Sequence, residues 1–258
     1  MQERVLGIMG AMPEEVHGVA GLLDEPEIFS IGMRDYYVGR LNGIKTVVVF
    51  SRWGKVAAAA TVTTLILRFQ VTDLVFTGVA GALHPELNIG DIVIARRLIQ
   101  HDLDARPLMR EFEIPLLGVT SLEIQPEPLK LAEQAVRELL EKQHLAAAVS
   151  TGDLRQFNIT QPKLLVGDIA SGDKFFANSD DKHALLARLP SVLCVEMEGA
   201  AVAQVCHEYG VSCTVIRTIS DAANEQSAVD FPAFIGKIAN KYSIEIVKNL
   251  VREISGSK

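Results

Sequence analysis

Short apolar runs alternate with amphipathic stretches along most of this chain. Such runs predict buried β-strands, whereas apolar residues three or four positions apart predict helices. Strands that alternate with helices indicate an α/β fold with a largely parallel sheet between helices. The predicted strands are 5–9, 46–50, 74–76, 92–95, 192–195 and 214–219, and the predicted helices begin at Pro13 and cover 55–68, 129–140, about 198–209 and 235–250.

Acidic residues follow three of these predicted strands. Glu15 comes after the first strand, Glu196 and Glu198 after the strand 192–195, and Asp221 after the last strand. Ligands gather at the carboxyl ends of parallel strands, so these acids are expected to share one rim. Two simpler interpretations remain open, since Asp221 alone suits a helix cap and Glu15 suits the positive end of a helix dipole.

Two of these acids lie among apolar and small residues, in CVEMEGAAVA (194–203). A carboxylate in such surroundings loses hydration and needs a partner. Arg217 lies inside the apolar strand TVIRTI, and a buried arginine needs a carboxylate, for which Glu198 or Glu15 is expected. Glu196 is expected to pair with a basic residue or to make a structural hydrogen bond. An internal salt bridge without chemistry is the alternative interpretation.

Composition excludes several classes of function. The chain has 258 residues, a net charge of −7 and no basic run, which argues against a nucleic-acid surface. Neither a membrane span nor a secretory signal is predicted. Three cysteines without CxxC spacing predict neither disulfides nor zinc, and fit a reducing cytoplasm. HDLD (101–104) is predicted to be a charged loop or interface segment rather than a metal site, and TGVAGAL (77–83) is not a phosphate-binding motif.

Eight motifs together resemble one known family, the 5'-methylthioadenosine/S-adenosylhomocysteine nucleosidases of the nucleoside phosphorylase superfamily. The resemblance spans nearly the whole chain, and VEMEGAA with ISDAAN carries most of its specificity. It implies a single three-layer α/β/α domain over residues 1–258, a homodimer, no cofactor and no metal. The motifs are GAMPEEV (10–16), SRWGKVAAA (51–59), TGVAGAL (77–83), IGDIVIA (89–95), HDLDA (101–105), ASGDKF (170–175), VEMEGAA (195–201) and RTISDAAN (217–224).

The resemblance also implies roles in cleaving the N-glycosidic bond of a 5'-substituted adenine nucleoside. Asp221 would protonate N7 of adenine and must therefore hold a proton near neutral pH. Glu15 would activate the attacking water, and Glu198 would hold the ribose hydroxyls. The other implied substrate-binding residues are Met12, Trp53, Val79, Phe175 (stacking on the purine), Phe176 (backbone at the purine edge), Met197 (against the sugar), Arg217 (beside the water), Ser220 (supporting Asp221) and Phe231 (closing over the site).

The sequence departs from the family near the expected 5' substituent. Arg52 and Trp53 replace smaller residues of an SGIGK-like run, and residues after HDLD diverge. Methylthioadenosine, S-adenosylhomocysteine, 5'-deoxyadenosine and 6-amino-6-deoxyfutalosine therefore all remain candidate substrates, and Val79 resembles the subset that uses the last. The alternatives are a nucleoside phosphorylase and a non-catalytic nucleoside-binding protein. Val79 cannot donate to phosphate and Glu15 would repel it, so hydrolysis is predicted.

Overall fold

A mixed β-sheet forms the centre of the protein in the computed structural model, which describes residues 3–256. Its ten strands pair in the order β10–β6–β8–β9–β5–β1–β4–β3–β2, with β7 on β6 and a further pairing of β10 with β5. The strands are β1 Val5–Gly10, β2 Asp24–Ile31, β3 Arg34–Leu41, β4 Ile44–Phe50, β5 Asp73–Ala82, β6 Ile92–Gln100, β7 Leu122–Glu123, β8 Leu164–Ser171, β9 Val192–Glu196 and β10 Ser212–Asp221.

Helices follow most of the strands, and this alternation confirms the predicted α/β class. A π-helical turn, Ile235–Ala239, joins the last two helices, and Pro232 lies inside the first of these two. The helices are α1 Pro13–Ala20, α2 Lys55–Phe69, α3 Pro126–Leu140, α4 Lys142–Ala148, α5 Thr151–Gln156, α6 Ser179–Arg188, α7 Gly199–Tyr209, α8 Ser227–Phe234 and α9 Asn240–Gly256.

Strand β1 shows why the sheet is covered on both faces. Successive side chains of a strand point to opposite faces. Val5 and Met9 belong to a core cluster that includes residues of α2 and α7. Leu6 and Ile8 belong to another cluster that includes residues of α1 and α9. Apolar residues at every position of β1 therefore place it in the middle layer of three.

The central pairings bring several strand ends to one edge. Strands β4, β1, β5 and β10 are adjacent and run parallel to one another. Strand β9 is antiparallel to β5 and meets its carboxyl end at Gly81 and Ala82. The β5–β10 register shifts between Ile219 and Asp221, so that Asp221 pairs with Gly81. This irregularity has the form of a β-bulge, which changes the direction in which the following side chains point.

Segment 152–162, predicted to be a surface excursion, is exposed along most of its length. It contains most of α5, whose N-terminus is capped by Ser150 Oγ accepting from Asp153 N. Ile159 anchors the segment, because its side chain is buried in the core cluster formed with α3 and α9.

Candidate active site

A cleft of about 610 Å³, including its opening to solvent, lies at the carboxyl ends of β1, β5, β9 and β10. Its position agrees with the rule that placed the acids there. Every residue named as a site residue lines it: Met12, Glu15, Trp53, Val79, Phe175, Phe176, Met197, Glu198, Arg217, Ser220, Asp221 and Phe231.

Glu15 is buried at the start of α1. Its Oε2 accepts hydrogen bonds from Ala11 N (2.6 Å) and Met12 N (3.0 Å), so the carboxylate caps the helix that carries it. Burial raises the pKa of Glu15 to about 7, although the Arg217 charge and backbone donors oppose the rise. A Cβ on Gly78 would lie 2.9 Å from Glu15 Oε1, so a glycine is needed where β5 passes this acid. The side chain of Glu15 therefore both caps helix α1 and lines the cleft.

Glu198 is buried at the junction of β9 and α7. Its Oε1 accepts a hydrogen bond from Gly54 N at 2.8 Å, which ties the acid to the loop before α2. Burial raises the pKa of Glu198 to about 8, and the neighbouring charge of Glu196 adds to the rise. The raised pKa favours the protonated carboxyl group, which can donate as well as accept hydrogen bonds.

Arg217 pairs with Glu196, so the expected pairing with Glu198 or Glu15 is wrong. Arg217 Nη2 and Nε lie 2.8 and 3.3 Å from Glu196 Oε2, and both residues are buried. The guanidinium carbon also lies 4.0 Å from the ring centroid of Phe76, close enough for a cation–π contact. Glu196 is the last residue of β9 and its carboxylate reaches Arg217 of β10, a contact that spacing along the sequence cannot reveal.

The structural role expected for Glu196 is confirmed. Besides Arg217, its carboxylate accepts hydrogen bonds from the backbone N–H groups of Glu198 and Gly199 and from Ser171 Oγ. Ser171 Oγ in turn accepts from Ala200 N at 2.7 Å. This network satisfies a buried ion pair and fixes the first turn of α7, which carries Glu198 into the cleft.

Asp221 ends β10 and faces the cleft with little exposure. Ser220 Oγ donates to its Oδ2 at 2.8 Å, and Ala223 N donates to its Oδ1 at 2.9 Å. The helix-cap interpretation is wrong, because the next helix begins only at Ser227. Asp221 instead stabilises the turn that directly follows its strand.

Aromatic side chains form one wall at the mouth of the cleft. The ring of Phe231 meets those of Trp53 and Phe175 edge to face, with centroids 5.9 and 5.7 Å away. Trp53 is 54% exposed and Phe175 38%. Phe176 is instead buried and packs edge to face against His101. The pair Phe175–Phe176 is therefore divided, with one ring at the cleft and one mainly in the core.

The HDLD segment binds protein groups. Asp102 accepts hydrogen bonds from Lys55 Nζ (2.6 Å) and Asp173 N (2.9 Å), linking the segment to the start of α2 and to the loop before Phe175. Within residues 3–256 no cluster of His, Cys, Asp or Glu is arranged for a metal ion. In the same range, no helix combines the length and apolar character that crossing a bilayer requires.

Sequence reasoning missed part of the lining. Lys174 and the backbone of β5 around Ala80 also border the cleft. Lys174 lies inside the motif ASGDKF, but no role was predicted for it, and its Nζ forms an ion pair with Asp181 at 2.6 Å. The small residues of TGVAGAL could have indicated that β5 borders the cleft, because a strand that approaches a ligand closely needs small side chains.

Comparison with known proteins places the chain in a family. A sequence profile of the phosphorylase superfamily matches residues 5–252. The chain is 34% identical to the aminodeoxyfutalosine nucleosidase of Helicobacter pylori strain ATCC 700392 / 26695, over 96% of this chain and 98% of that protein. It is 32% identical to the 5'-methylthioadenosine/S-adenosylhomocysteine nucleosidase of Bacillus cytotoxicus, over 95% and 99% of the two chains.

A solved structure agrees with these matches. The crystal structure of a 5'-methylthioadenosine/S-adenosylhomocysteine nucleosidase from Colwellia psychrerythraea, in complex with adenine, superposes on this chain with a TM-score of 0.85. It shares 29% identity, covering 98% of this chain and 96% of that one. The chain therefore belongs to the phosphorylase superfamily, within the group that contains the 5'-methylthioadenosine/S-adenosylhomocysteine and aminodeoxyfutalosine nucleosidases.

Proposed function

We propose that this protein hydrolyses the N-glycosidic bond of 5'-substituted adenine nucleosides and releases adenine. The observation that carries the proposal is that Glu15, Glu198 and Asp221, from three distant parts of the chain, line one cleft. The named activities of the relatives support the same reaction. Cleavage builds positive charge on the sugar and negative charge on the base, so an enzyme needs a proton donor for the base and a group that handles water.

Asp221 is the proposed proton donor to N7 of adenine. Its two oxygens are held by Ser220 Oγ and Ala223 N, so the carboxyl group keeps a fixed direction at the cleft. Protonation at N7 lets the base leave as a neutral molecule and removes the need to stabilise an anion. Phe175 provides a ring at the mouth against which a purine can stack, and the backbone at Phe176 is proposed to read the purine edge.

Glu15 is the proposed base that activates water. Its pKa, raised to about 7, leaves a substantial fraction of carboxylate at neutral pH and enough basicity to accept a proton. Arg217 lies near enough for its charge to favour the carboxylate. Glu198 is proposed to bind the ribose hydroxyls, since a protonated carboxyl group can both donate and accept. Met12, Val79 and Met197 supply apolar surface around the sugar.

Phosphorolysis is the competing reaction of the superfamily. A phosphate site needs converging donors such as arginines and hydroxyls. Val79 offers no donor side chain, and the guanidinium of Arg217 is already occupied by Glu196. Glu15 also lines this cleft, and its carboxylate form would repel a phosphate dianion. Water is therefore the proposed acceptor of the ribosyl group.

One assay tests the reaction and the substrate together. Purified protein is incubated with methylthioadenosine, S-adenosylhomocysteine, 5'-deoxyadenosine or 6-amino-6-deoxyfutalosine, each with and without phosphate, and free adenine is measured. We expect adenine release at the same rate in both buffers. A requirement for phosphate would establish a phosphorylase instead, and tight nucleoside binding without turnover would establish a binding protein.

Replacing Trp53 with isoleucine is expected to change the preference among 5' substituents. Trp53 borders the mouth of the cleft and contacts Phe231 edge to face, so replacing it with a smaller side chain enlarges the opening of the cleft. The ratio of kcat/KM values among the four nucleosides should shift more than kcat with the best one. Trp53→Phe, which keeps an aromatic ring, is the matched control. An unchanged ranking in Trp53→Ile would place the residue away from the 5' group.

We further propose that residues 1–258 act as one domain in a cytoplasmic homodimer. One continuous sheet carries all four strands that border the cleft, which favours a single domain. Large apolar side chains are exposed on α2 and the segment after HDLD, including Val56, Leu108 and Leu116. Lys55 at the start of α2 bonds to Asp102 of HDLD, so the point where that segment begins lies near α2. An exposed apolar surface of this kind favours contact with a second copy.

A further inference from the structure

Lys182, in the first half of α6, directs its ammonium group at the carboxyl ends of β5 and β10. Its Nζ donates to Ala82 O at 2.8 Å and to Ala222 O at 2.9 Å. The start of α6 is attached to the same region, because Glu225 accepts hydrogen bonds from Ser179 N and Oγ, both at 2.9 Å. The lysine is thus held between the two strand ends.

The carbonyl that Lys182 holds belongs to the peptide unit that also orients Asp221. Ala222 C=O and Ala223 N–H are parts of one peptide, and this N–H donates to Asp221 Oδ1 at 2.9 Å. In a planar trans peptide the two groups point in opposite directions, so fixing the oxygen also fixes the N–H. A cation at the oxygen polarises the peptide and strengthens the N–H as a donor.

The turn after Asp221 needs such a constraint. The β5–β10 pairing reaches only as far as Gly81 and Asp221. Ala223 follows with a φ of +50°, a left-handed conformation that residues other than glycine rarely adopt. Such conformations persist only where the surroundings fix them. Ala223 is buried, and the bond from Lys182 to the preceding carbonyl is one of the contacts that hold it.

We propose that Lys182 is a positioning residue for the glycosidic cleavage, acting on Asp221 through the Ala222–Ala223 peptide. The inference rests on the proposed function, since it requires that Asp221 deliver a proton to the base. Lys182 is not among the residues that line the cleft. Its influence therefore reaches the substrate by way of Asp221. Burial lowers the pKa of Lys182, and the charge of Asp221 opposes this lowering, which also indicates that the two groups are close.

Lys182→Met keeps the aliphatic stem and removes the charge and the donors. We expect kcat for adenine release to fall roughly 10- to 100-fold, the scale of a small misplacement of a reacting group, with little change in KM. Lys182→Arg, whose fork can bond both carbonyls, should recover most of the rate. Lys130→Met, at an exposed position of α3, is the matched control and should behave like the unmodified protein.

A double-mutant cycle separates positioning of Asp221 from a general structural effect. Once Asp221→Asn has removed the acid, adding Lys182→Met should cost almost nothing further. A full multiplicative loss in the double variant, or unchanged kcat in Lys182→Met alone, would overturn the inference. Full activity in Asp221→Asn alone would instead overturn the proposed function.

Thermal unfolding of each variant accompanies the kinetics, so that a lost rate is compared only between folded proteins. If Lys182→Met does not fold, Lys182→Gln provides the same comparison with a neutral side chain that can still donate to one carbonyl. A kcat for Lys182→Gln equal to that of Lys182→Arg would show that the cation is not needed, and this too would overturn the inference.

Discussion

Replacing Asp221 with asparagine should lower kcat for adenine release about 10²- to 10⁴-fold, the range expected when a general acid is removed. Asparagine has nearly the same shape, and its amide oxygen can still accept the hydrogen bond from Ala223 N. An amide cannot transfer a proton to N7, however, so the base would have to leave as an anion. The measurement is steady-state release of adenine from the best of the four nucleosides, with KM determined in parallel.

Asp180→Asn is the matched control for this variant, because Asp180 is an exposed acid on α6. It should keep the activity of the unmodified protein. Circular dichroism and thermal unfolding should show Asp221→Asn folded. A turnover within a fewfold of the unmodified protein would remove Asp221 from the proposed mechanism and leave the protonation of adenine to another group.

Glu15→Gln should cause a loss of similar size, about 10²- to 10⁴-fold in kcat, because glutamine cannot accept a proton from water. The change keeps an oxygen that can accept from Ala11 N and Met12 N, so the start of α1 should stay intact. Glu14→Gln is a close control, since Glu14 lies in the same helical turn and is exposed. Equal activity of Glu15→Gln and Glu14→Gln would exclude Glu15 as the base.

The pH profile provides a second test of Glu15. A base must be deprotonated to act, so kcat/KM of the unmodified protein should rise with pH through about 7, where the free carboxyl group of Glu15 titrates. The residual activity of Glu15→Gln should lack this rise. A profile that stays flat between pH 6 and 8 in the unmodified protein would contradict the assignment.

Much of the fold could be predicted from apolar runs, because the central strands are buried on both faces. Strands such as β1 and β4 therefore consist mainly of apolar residues. The same criterion missed β2 and β8. Most residues of β2 are exposed, and an outer strand in water carries no apolar run. In β8 the run is broken by Gly167 and Asp168, and Asp168 is tolerated in the sheet because it pairs with Arg97.

The candidate site was predictable as a set of residues but not as a set of contacts. Strand-end position and the family motifs together located the acids. They could not show which of three carboxylates pairs with Arg217, because that depends on which side chain the folded sheet brings against β10. The answer is Glu196, and it leaves Glu15 and Glu198 available for a ligand. The position of Lys182 likewise could not be predicted from the sequence, since its partners are backbone carbonyl oxygens that any residue can supply.

The burial of Glu15 and Glu198 makes the thermal stability of the ligand-free protein depend on pH. Both carboxyl groups have pKa values raised by burial, from 4.5 to about 7 and about 8 respectively. Between the unfolded pKa of 4.5 and these raised values, the folded chain holds more protons than the unfolded chain. The contribution of the two groups to the free energy of unfolding therefore declines as pH rises through this range. A nucleoside that binds only the folded protein would offset this decline by mass action. The raised pKa values that suit the two acids to the cleft thus make the ligand-free protein easier to unfold near neutrality than in mild acid.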